Sequence, residues 1–485
     1  MSAGEFERPQ PTSLPPSSSP PLSEGLCLKI PCYEGPEARG PGTLEINEDA
    51  LCRHLFVCGS TGSGKTTLLR ALTRQLIAAD AADPAKKVGL VILDAKNDGT
   101  VEYVNAAAAA VGRSEDVCVL SLYSDTAYDF FGECRQTSQA NEFAERLVFG
   151  CSEMRGVNDV FWNEFRHNLL SAALTWLISI HSEQRTFADW ITHATSWLLA
   201  ERLTPDHHAE LKSLRRKAAD LQAGTAERIA IDHALQLIEE WDGVLDSRTR
   251  SNARATLHNA LRPLLEESVL HLFRATSAKK LRVASAVQDG RILVISINAF
   301  LHPHLAPLVL RSIKTDFYQA VFSRTRGGRL VMLIADEFQL AATAGSSRYD
   351  DATALPLLRE YRAGMVAATQ TLVGLDKVVG TINRRLLLAN FNTLAFLRST
   401  EADLEVFAEQ VCGTVERDIT TREHFHDPSA GGAFAPDREW KVTRRVRHPI
   451  CPRGALARLE PGQAYILRQS GEPCVHPIWI AAEEL

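Results

Sequence analysis

Unbroken apolar runs recur along the chain, each ending in polar or charged residues. They are His54–Cys58, Val88–Leu93, Val117–Leu122, Arg291–Ile297, Leu330–Ala335, Met365–Ala368 and Thr393–Leu397. Continuous rather than alternating runs are what parallel strands buried on both faces require. Helical spacing fills segments between them, as in Lys65–Ala79, Leu308–Phe322 and Asp403–Cys412. Strands alternating with helices predict an α/β fold with a doubly wound, mostly parallel sheet. From about Thr137 to Ala278 the strand-like runs stop. Apolar residues there follow helical spacing over 161–180, 187–203, 209–221, 226–245 and 252–273, which predicts an all-α insertion at 137–278, of ordinary domain size. Leu26–Ile30 and Thr43–Ile46 read as a small hairpin, and Trp440–Val446, Gln463–Arg468 and Pro477–Ala481 as short terminal strands. Residues 1–24, rich in Pro and Ser, are expected to be disordered.

The first core strand runs into GSTGSGKT at 59–66. A strand, a glycine-rich turn and a helix in this order form the P-loop, G-x-x-x-x-G-K-[ST]. Gly59, Gly62 and Gly64 let the backbone fold close around phosphate oxygens. The amides of Ser60, Thr61 and Ser63 join them in an anion nest, backed by the positive end of the following helix. Lys65 supplies a charge to the β- and γ-phosphates, and Thr66, followed by Thr67, offers a hydroxyl to Mg²⁺. The segment therefore predicts binding of a nucleoside triphosphate.

Three later strand ends carry matching chemistry. Asp336 and Glu337 follow the run LVMLIA. This is the Walker B arrangement, with Asp336 toward Mg²⁺ and Glu337 as the general base on the attacking water. Gln370 ends the run MVAATQ and reads as a γ-phosphate sensor. Asp94 and Lys96 end the strand after the P-loop helix, either as groups supporting the nucleotide or as an ordinary surface ion pair. Arg359 and Arg362 are placed on the helix between Glu337 and Gln370. They read either as arginine fingers for a neighbouring subunit or as a solvated basic face, with Arg398 a weaker candidate.

Composition narrows this little. Hydrophobic residues at 45% and charged residues at 23% are ordinary for a soluble globular chain. A net charge of −6 means that any nucleic-acid contact must come from a local patch or a lined pore. Arg215, Arg216, Lys217, Arg248, Arg250 and Arg254 in the helical run are either such a patch or faces balanced by nearby acids. Ten cysteines occur without a C-x-x-C pair, the pattern of free thiols in a reducing compartment. His424 and His426 read as loop residues beside Asp427. No apolar stretch is long enough to span a bilayer, and no signal peptide is apparent.

Taken together the motifs resemble a known family. HLFVCGSTGSGKTT at 54–67 is similar to the opening of the FtsK/HerA branch of RecA-like ATPases. DAKNDG at 94–99, DVFWNEF at 159–165, IADEFQLAA at 334–342, REYRAGMVAATQ at 359–370 and LARLEPGQAYIL at 456–467 resemble type IV secretion coupling proteins of the TraD/TraG kind. The resemblance runs from about residue 26 to the end. It implies a discontinuous RecA-like nucleotide-binding domain at 25–136 and 279–485, and the roles given above for Lys65, Thr66, Asp336, Glu337 and Gln370. It also implies a homo-hexamer using ATP and Mg²⁺, with DNA in a central channel, and a relaxase and secretion-channel proteins as partners. Ala95 stands where the family often has proline. The family's paired membrane-anchor helices have no counterpart here, so the expectation is a cytoplasmic bacterial protein, either recruited to the inner membrane by a partner or acting on DNA in the cytoplasm. The leading reading is an ATP-driven DNA translocase or conjugative coupling ATPase. A secretion or pilus-assembly motor acting on protein, a HerA-like DNA-processing or defence ATPase, and an ATP-locked adaptor for a relaxase-type partner remain the alternatives.

Overall fold

The computed structural model describes residues 26–33, 42–129, 137, 140–141, 143–144, 159–180, 186–244, 247–273, 279–344, 350–425, 438–468 and 478–480. The expected tail at 1–24, His426 and Asp427 lie outside them. The strands are β1 (Cys27–Tyr33), β2 (Gly42–Asn47), β3 (Leu55–Cys58), β4 (Gly89–Asp94), β5 (Val117–Leu120), β6 (Thr126–Tyr128), β7 (Lys279–Leu281), β8 (Ile292–Ser296), β9 (Val331–Ala335), β10 (Ala363–Thr369), β11 (Thr393–Leu397), β12 (Thr414–Phe425), β13 (Arg438–Pro449), β14 (Gln463–Arg468) and β15 (Ile478–Ile480).

Eleven of these form one sheet in the order β2-β1-β15-β14-β11-β3-β10-β9-β4-β8-β5. From β11 to β5 all neighbours are parallel. From β11 outward through β14, β15, β1 and β2 they are antiparallel. The hairpin expected at the N-terminus is therefore β1–β2, and it joins the main sheet through β15. The strands of the parallel part bury both faces by alternation. Val57, Ile92, Ile334 and Val366 point into a core covered by the helices Lys65–Ala78 and Thr100–Ala110. Phe56, Leu93, Leu333 and Met365 point into the core on the other side, covered by Leu305–Phe322. Among the described residues no helix is long and apolar enough to cross a membrane.

Between β6 and β7 every described element is helical, from Asp159–Ile180 through Glu267–Leu272. Trp176, Trp190 and Trp197 are fully buried there, and the helices share one apolar core with a face of the sheet. The strands bracketing this run, β6 and β7, pair in parallel, so the chain leaves and re-enters the sheet region at one place. Two sequence expectations are corrected. Trp440–Val446 belongs to a long strand, β13, whose partner β12 contains His424, and this hairpin stands outside the main sheet. Arg359 lies in a single 3-10 turn and Arg362 follows it with φ 51°, rather than both lying on a helix.

His54 anchors the entry to β3. Its Nδ1 accepts the Met365 amide at 3.1 Å and its Nε2 donates to the Leu355 carbonyl at 2.9 Å. These partners require one neutral tautomer, because a proton on Nδ1 would face an amide N–H. Burial accordingly holds its pKa down to about 4 from 6.5. Between those values the unfolded imidazole takes a proton and the folded one does not, so stability falls as pH drops through this window, by about 3 kcal/mol for this group. In His54→Gln, which keeps an acceptor and a donor without titrating, urea midpoints measured from pH 6.5 to 4 are expected to lose this component of the slope. Equal slopes in the two proteins would contradict the assignment.

Candidate active site at the carboxyl edge of the sheet

Parallel register brings the strand ends together. Thr369 is level with Cys58, Ala367 with Ala335, Leu93 with Ala335, and Asp94 with Ser296. The residues that follow them, Gly59–Thr66, Asp336–Glu337, Lys96 and Gln370, consequently share one edge, where α/β sheets hold ligands.

The P-loop is held by backbone contacts from two neighbours. The Gly59 amide donates to Thr369 O, and both the amide and the hydroxyl of Ser60 donate to Arg398 O, at 2.8 and 2.9 Å. Arg398, a weaker arginine candidate in the sequence, thus serves the loop through its carbonyl. Gly62 and Gly64 take φ of 73° and 106°, as the fold of the loop demands. Gly59 does not. A Cβ there would lie 2.8 Å from the Leu397 Cβ, so close packing explains this glycine. At Gly64 a Cβ would lie 3.2 Å from the Gly462 backbone, and the Gly462 amide donates to Ser63 O at 2.9 Å. The C-terminal segment thus backs the phosphate loop. Lys65 opens the helix, buried, with its ammonium on Gly59 O at 2.6 Å and Ser60 O at 3.0 Å. Burial and the nearby Lys96 lower its pKa, against the pull of Glu337 and Asp336.

Lys96 bridges the acidic pair. Its ammonium lies 2.9 Å from Asp336 Oδ2 and 2.7 Å from Glu337 Oε1. Burial disfavours its charge, but the two carboxylates outweigh this and raise its pKa. Asp94 plays a different part. It is buried, and its carboxylate accepts the amides of Lys96 and Asn97, both at 3.0 Å, and the Ser296 hydroxyl at 2.8 Å. Asp94 therefore ties the turn that presents Lys96. The surface ion pair that was an alternative for these two residues does not form.

Glu337 sits in a left-handed conformation, φ 56°, which folds its side chain back among donors. Oε1 accepts Gln370 Nε2 at 2.5 Å as well as Lys96, and Oε2 accepts Gln339 Nε2 at 2.6 Å. Burial pushes its pKa up, but these three donors outweigh burial and hold the carboxyl below its ordinary value. Gln370 in turn accepts from the Thr61 hydroxyl at 3.1 Å, linking the P-loop to Glu337. Asp336 Oδ1 accepts the Glu337 amide at 3.0 Å. Thr66 lies half-buried and Thr67 exposed in the first turn of the P-loop helix. A hydroxyl and a carboxylate at this edge form the oxygen donor set that a hard divalent cation takes.

Arg359 and Arg362 are elsewhere. Arg359 pairs with Asp49 at 2.9 Å, and Arg362 grips both Glu48 oxygens at 2.7 and 3.0 Å while donating to Gly328 O at 2.6 Å. Arg362 precedes β10 and Gln370 follows it, so the strand length separates them by about 25 Å. The arginines lie at the edge opposite their own chain's phosphate loop, tied to carboxylates of their own chain. In the helical run Arg215 pairs with Glu239, Lys217 with Glu227, and Arg250 donates to Asp242 O, the locally balanced pattern.

Sequence reading missed Gln339, Thr369 and Ser296 as parts of the site. Gln339 stands two residues after Glu337 and reaches it only because φ 56° at Glu337 turns the chain into the 3-10 turn Phe338–Leu340. No periodicity in the sequence signals that turn.

Residues 41–281, which carry the phosphate loop, match the family model described as "Helicase HerA, central domain". Over that stretch, just under half of the chain, the sequence is similar to the HerA central domain. No curated protein matches the sequence. Among solved structures, the bacterial conjugative coupling protein TrwBdeltaN70 in an unbound form superposes with a TM-score of 0.61 at 18% identity, covering 91% of this chain and 88% of that one. TrwB with ADP and Mg²⁺ gives 0.57 at 18%, covering 90% and 87%. TrwB with a non-hydrolysable ATP analogue gives 0.58 at 18%, with the same coverage. At this identity the likeness is one of fold: a RecA-like P-loop sheet with an all-α part.

Proposed function

We propose that the chain is an ATP-hydrolysing, hexameric DNA translocase of the conjugative coupling type, moving or recruiting DNA with bound protein toward a secretion channel. The observation that supports hydrolysis most directly is the Glu337 carboxylate held ionised by Lys96, Gln370 and Gln339, on the edge that carries Lys65. In this reading the P-loop amides and Lys65 take the β- and γ-phosphates. Glu337 polarises the attacking water, and Gln370 orients it while sensing the γ-phosphate through Thr61. Thr66 and Asp336 hold Mg²⁺, which supplies neutralisation of phosphate charge. The match of 41–281 to a HerA central domain and the fold shared with TrwB favour DNA as the cargo. A relaxase and channel proteins are the partners this implies, and the protein acts in the bacterial cytoplasm, recruited to the inner membrane by one of them.

DNA-dependent turnover tests the reading. ATPase activity of the purified hexamer is expected to rise several-fold on adding single- or double-stranded DNA, and the more effective form identifies the substrate. A rate unchanged by both, in protein that hydrolyses ATP, would refute translocation on DNA while leaving the ATPase assignment standing.

A further inference from the structure

Two glutamines grip opposite oxygens of Glu337, and they come from different places. Gln370 stands at the end of β10, whereas Gln339 stands on the short turn after Glu337 itself and needs an anchor of its own. Thr369, the fully buried last residue of β10, provides it, with its hydroxyl 2.8 Å from Gln339 Oε1. Chemistry sets the direction of this relay. An ionised carboxylate only accepts, so Gln339 must turn its NH₂ toward Glu337 and its carbonyl toward Thr369. The Thr369 hydroxyl then donates to Gln339, its second contact, to Thr371 O, being longer at 3.2 Å. Strand β10 thus reaches Glu337 twice, once through Gln370 and once through Thr369 and Gln339.

We propose that Gln339 and Thr369 are positioning residues that fix the Glu337 carboxylate for attack of water on the γ-phosphate. The inference rests on the role proposed above for Glu337 and adds the support that holds it. Thr369 meets the phosphate loop only through its main-chain carbonyl, on Gly59, and the side-chain hydrogen bonds of both residues lie outside that loop, so the effect belongs to the chemical step and not to nucleotide binding. A small misplacement of a catalytic group costs about ten- to a hundredfold in rate.

The test is steady-state ATPase kinetics on the full chain, with binding of a fluorescent ATP analogue measured in parallel. Gln339→Met, similar in length and without donors, is expected to lower kcat about tenfold or more while KM and analogue affinity stay within about twofold. Thr369→Val is expected to lower kcat in the same direction, and Thr369→Ser, which restores the hydroxyl, to recover it. The serine–valine pair decides the matter even if Gln339→Met folds poorly. Unchanged kcat in Gln339→Met, or equal kcat in the valine and serine variants, overturns the positioning role. Should Glu337→Gln keep full turnover, the reading of Glu337 itself fails, and this inference with it.

Discussion

Glu337→Gln is expected to lower ATP turnover by about 10²–10⁴-fold, the usual contribution of a general base, with nucleotide affinity changed less than about twofold. The glutamine fits the same space and can keep a carbonyl toward Lys96 and Gln370, so the loop and the sheet edge persist while the group that takes the proton is lost. Lys65→Ala should differ in kind. It removes the charge offered to the phosphates, so affinity and turnover fall together. Steady-state kinetics paired with equilibrium binding separates the two patterns. A Glu337→Gln variant with wild-type kcat would show that another group activates the water. Lys96, Gln370 and Gln339 hold the Glu337 carboxyl below its ordinary value, which favours its base form. Loss of turnover from this group is expected only at lower pH than an unassisted glutamate would show.

The second large effect concerns stability. Lys314, on the helix Leu305–Phe322, and Asp351, on the helix Asp351–Leu358, are fully buried and paired with one another. Lys314 also donates to the Thr343 hydroxyl at 2.9 Å and lies over the Phe338 ring, 5.6 Å from its centroid. Asp351 accepts the Tyr318 hydroxyl and the Thr343 amide, both at 2.7 Å. Burial lowers the Lys314 pKa to about 8, despite the opposing pull of Asp351. Lys314→Met leaves the Asp351 charge buried without its countercharge and is expected to cost about 3–5 kcal/mol. Lys314→Met combined with Asp351→Asn removes that charge; the asparagine carbonyl keeps an acceptor for the Thr343 amide, and its NH₂ can donate to the Tyr318 hydroxyl, which then accepts. It should recover a substantial part of the loss, which urea unfolding of the wild type and the two variants measures. If the double variant is no more stable than the single one, packing of the lysine stem rather than the stranded charge accounts for the cost.

The strands of the parallel sheet and the chemistry at their ends were legible in advance for the same reason. A strand buried on both faces must be continuously apolar, and polar residues that follow it must lie at an edge. That rule located β3, β4, β8, β9, β10 and β11 to within a few residues and placed Lys65, Asp336, Glu337 and Gln370. It was silent on β12, TVERDITTREHF, which mixes charges with isolated apolar residues. Its described side chains, like those opposite them in β13, are largely exposed, so no apolar run marks a hairpin whose pairing is mostly backbone. The rule also said little about where Arg359 and Arg362 lie. Their distance from Gln370 in sequence is short, but the intervening residues are an extended strand, and a strand carries its two ends to opposite edges.

The amino-acid sequence by itself determined the phosphate loop, the strands of the parallel sheet, the long helical run and the identity of the acidic pair, since each is written in local spacing and in residue types with few physical alternatives. Only the tertiary structure decided what those groups touch. Parallel register set Lys96 between Asp336 and Glu337, turned Asp94 to the service of its own loop, and put the Gly462 backbone behind Gly64. These contacts join residues up to hundreds of positions apart, and their partners are often main-chain atoms, which every residue carries and no sequence pattern distinguishes.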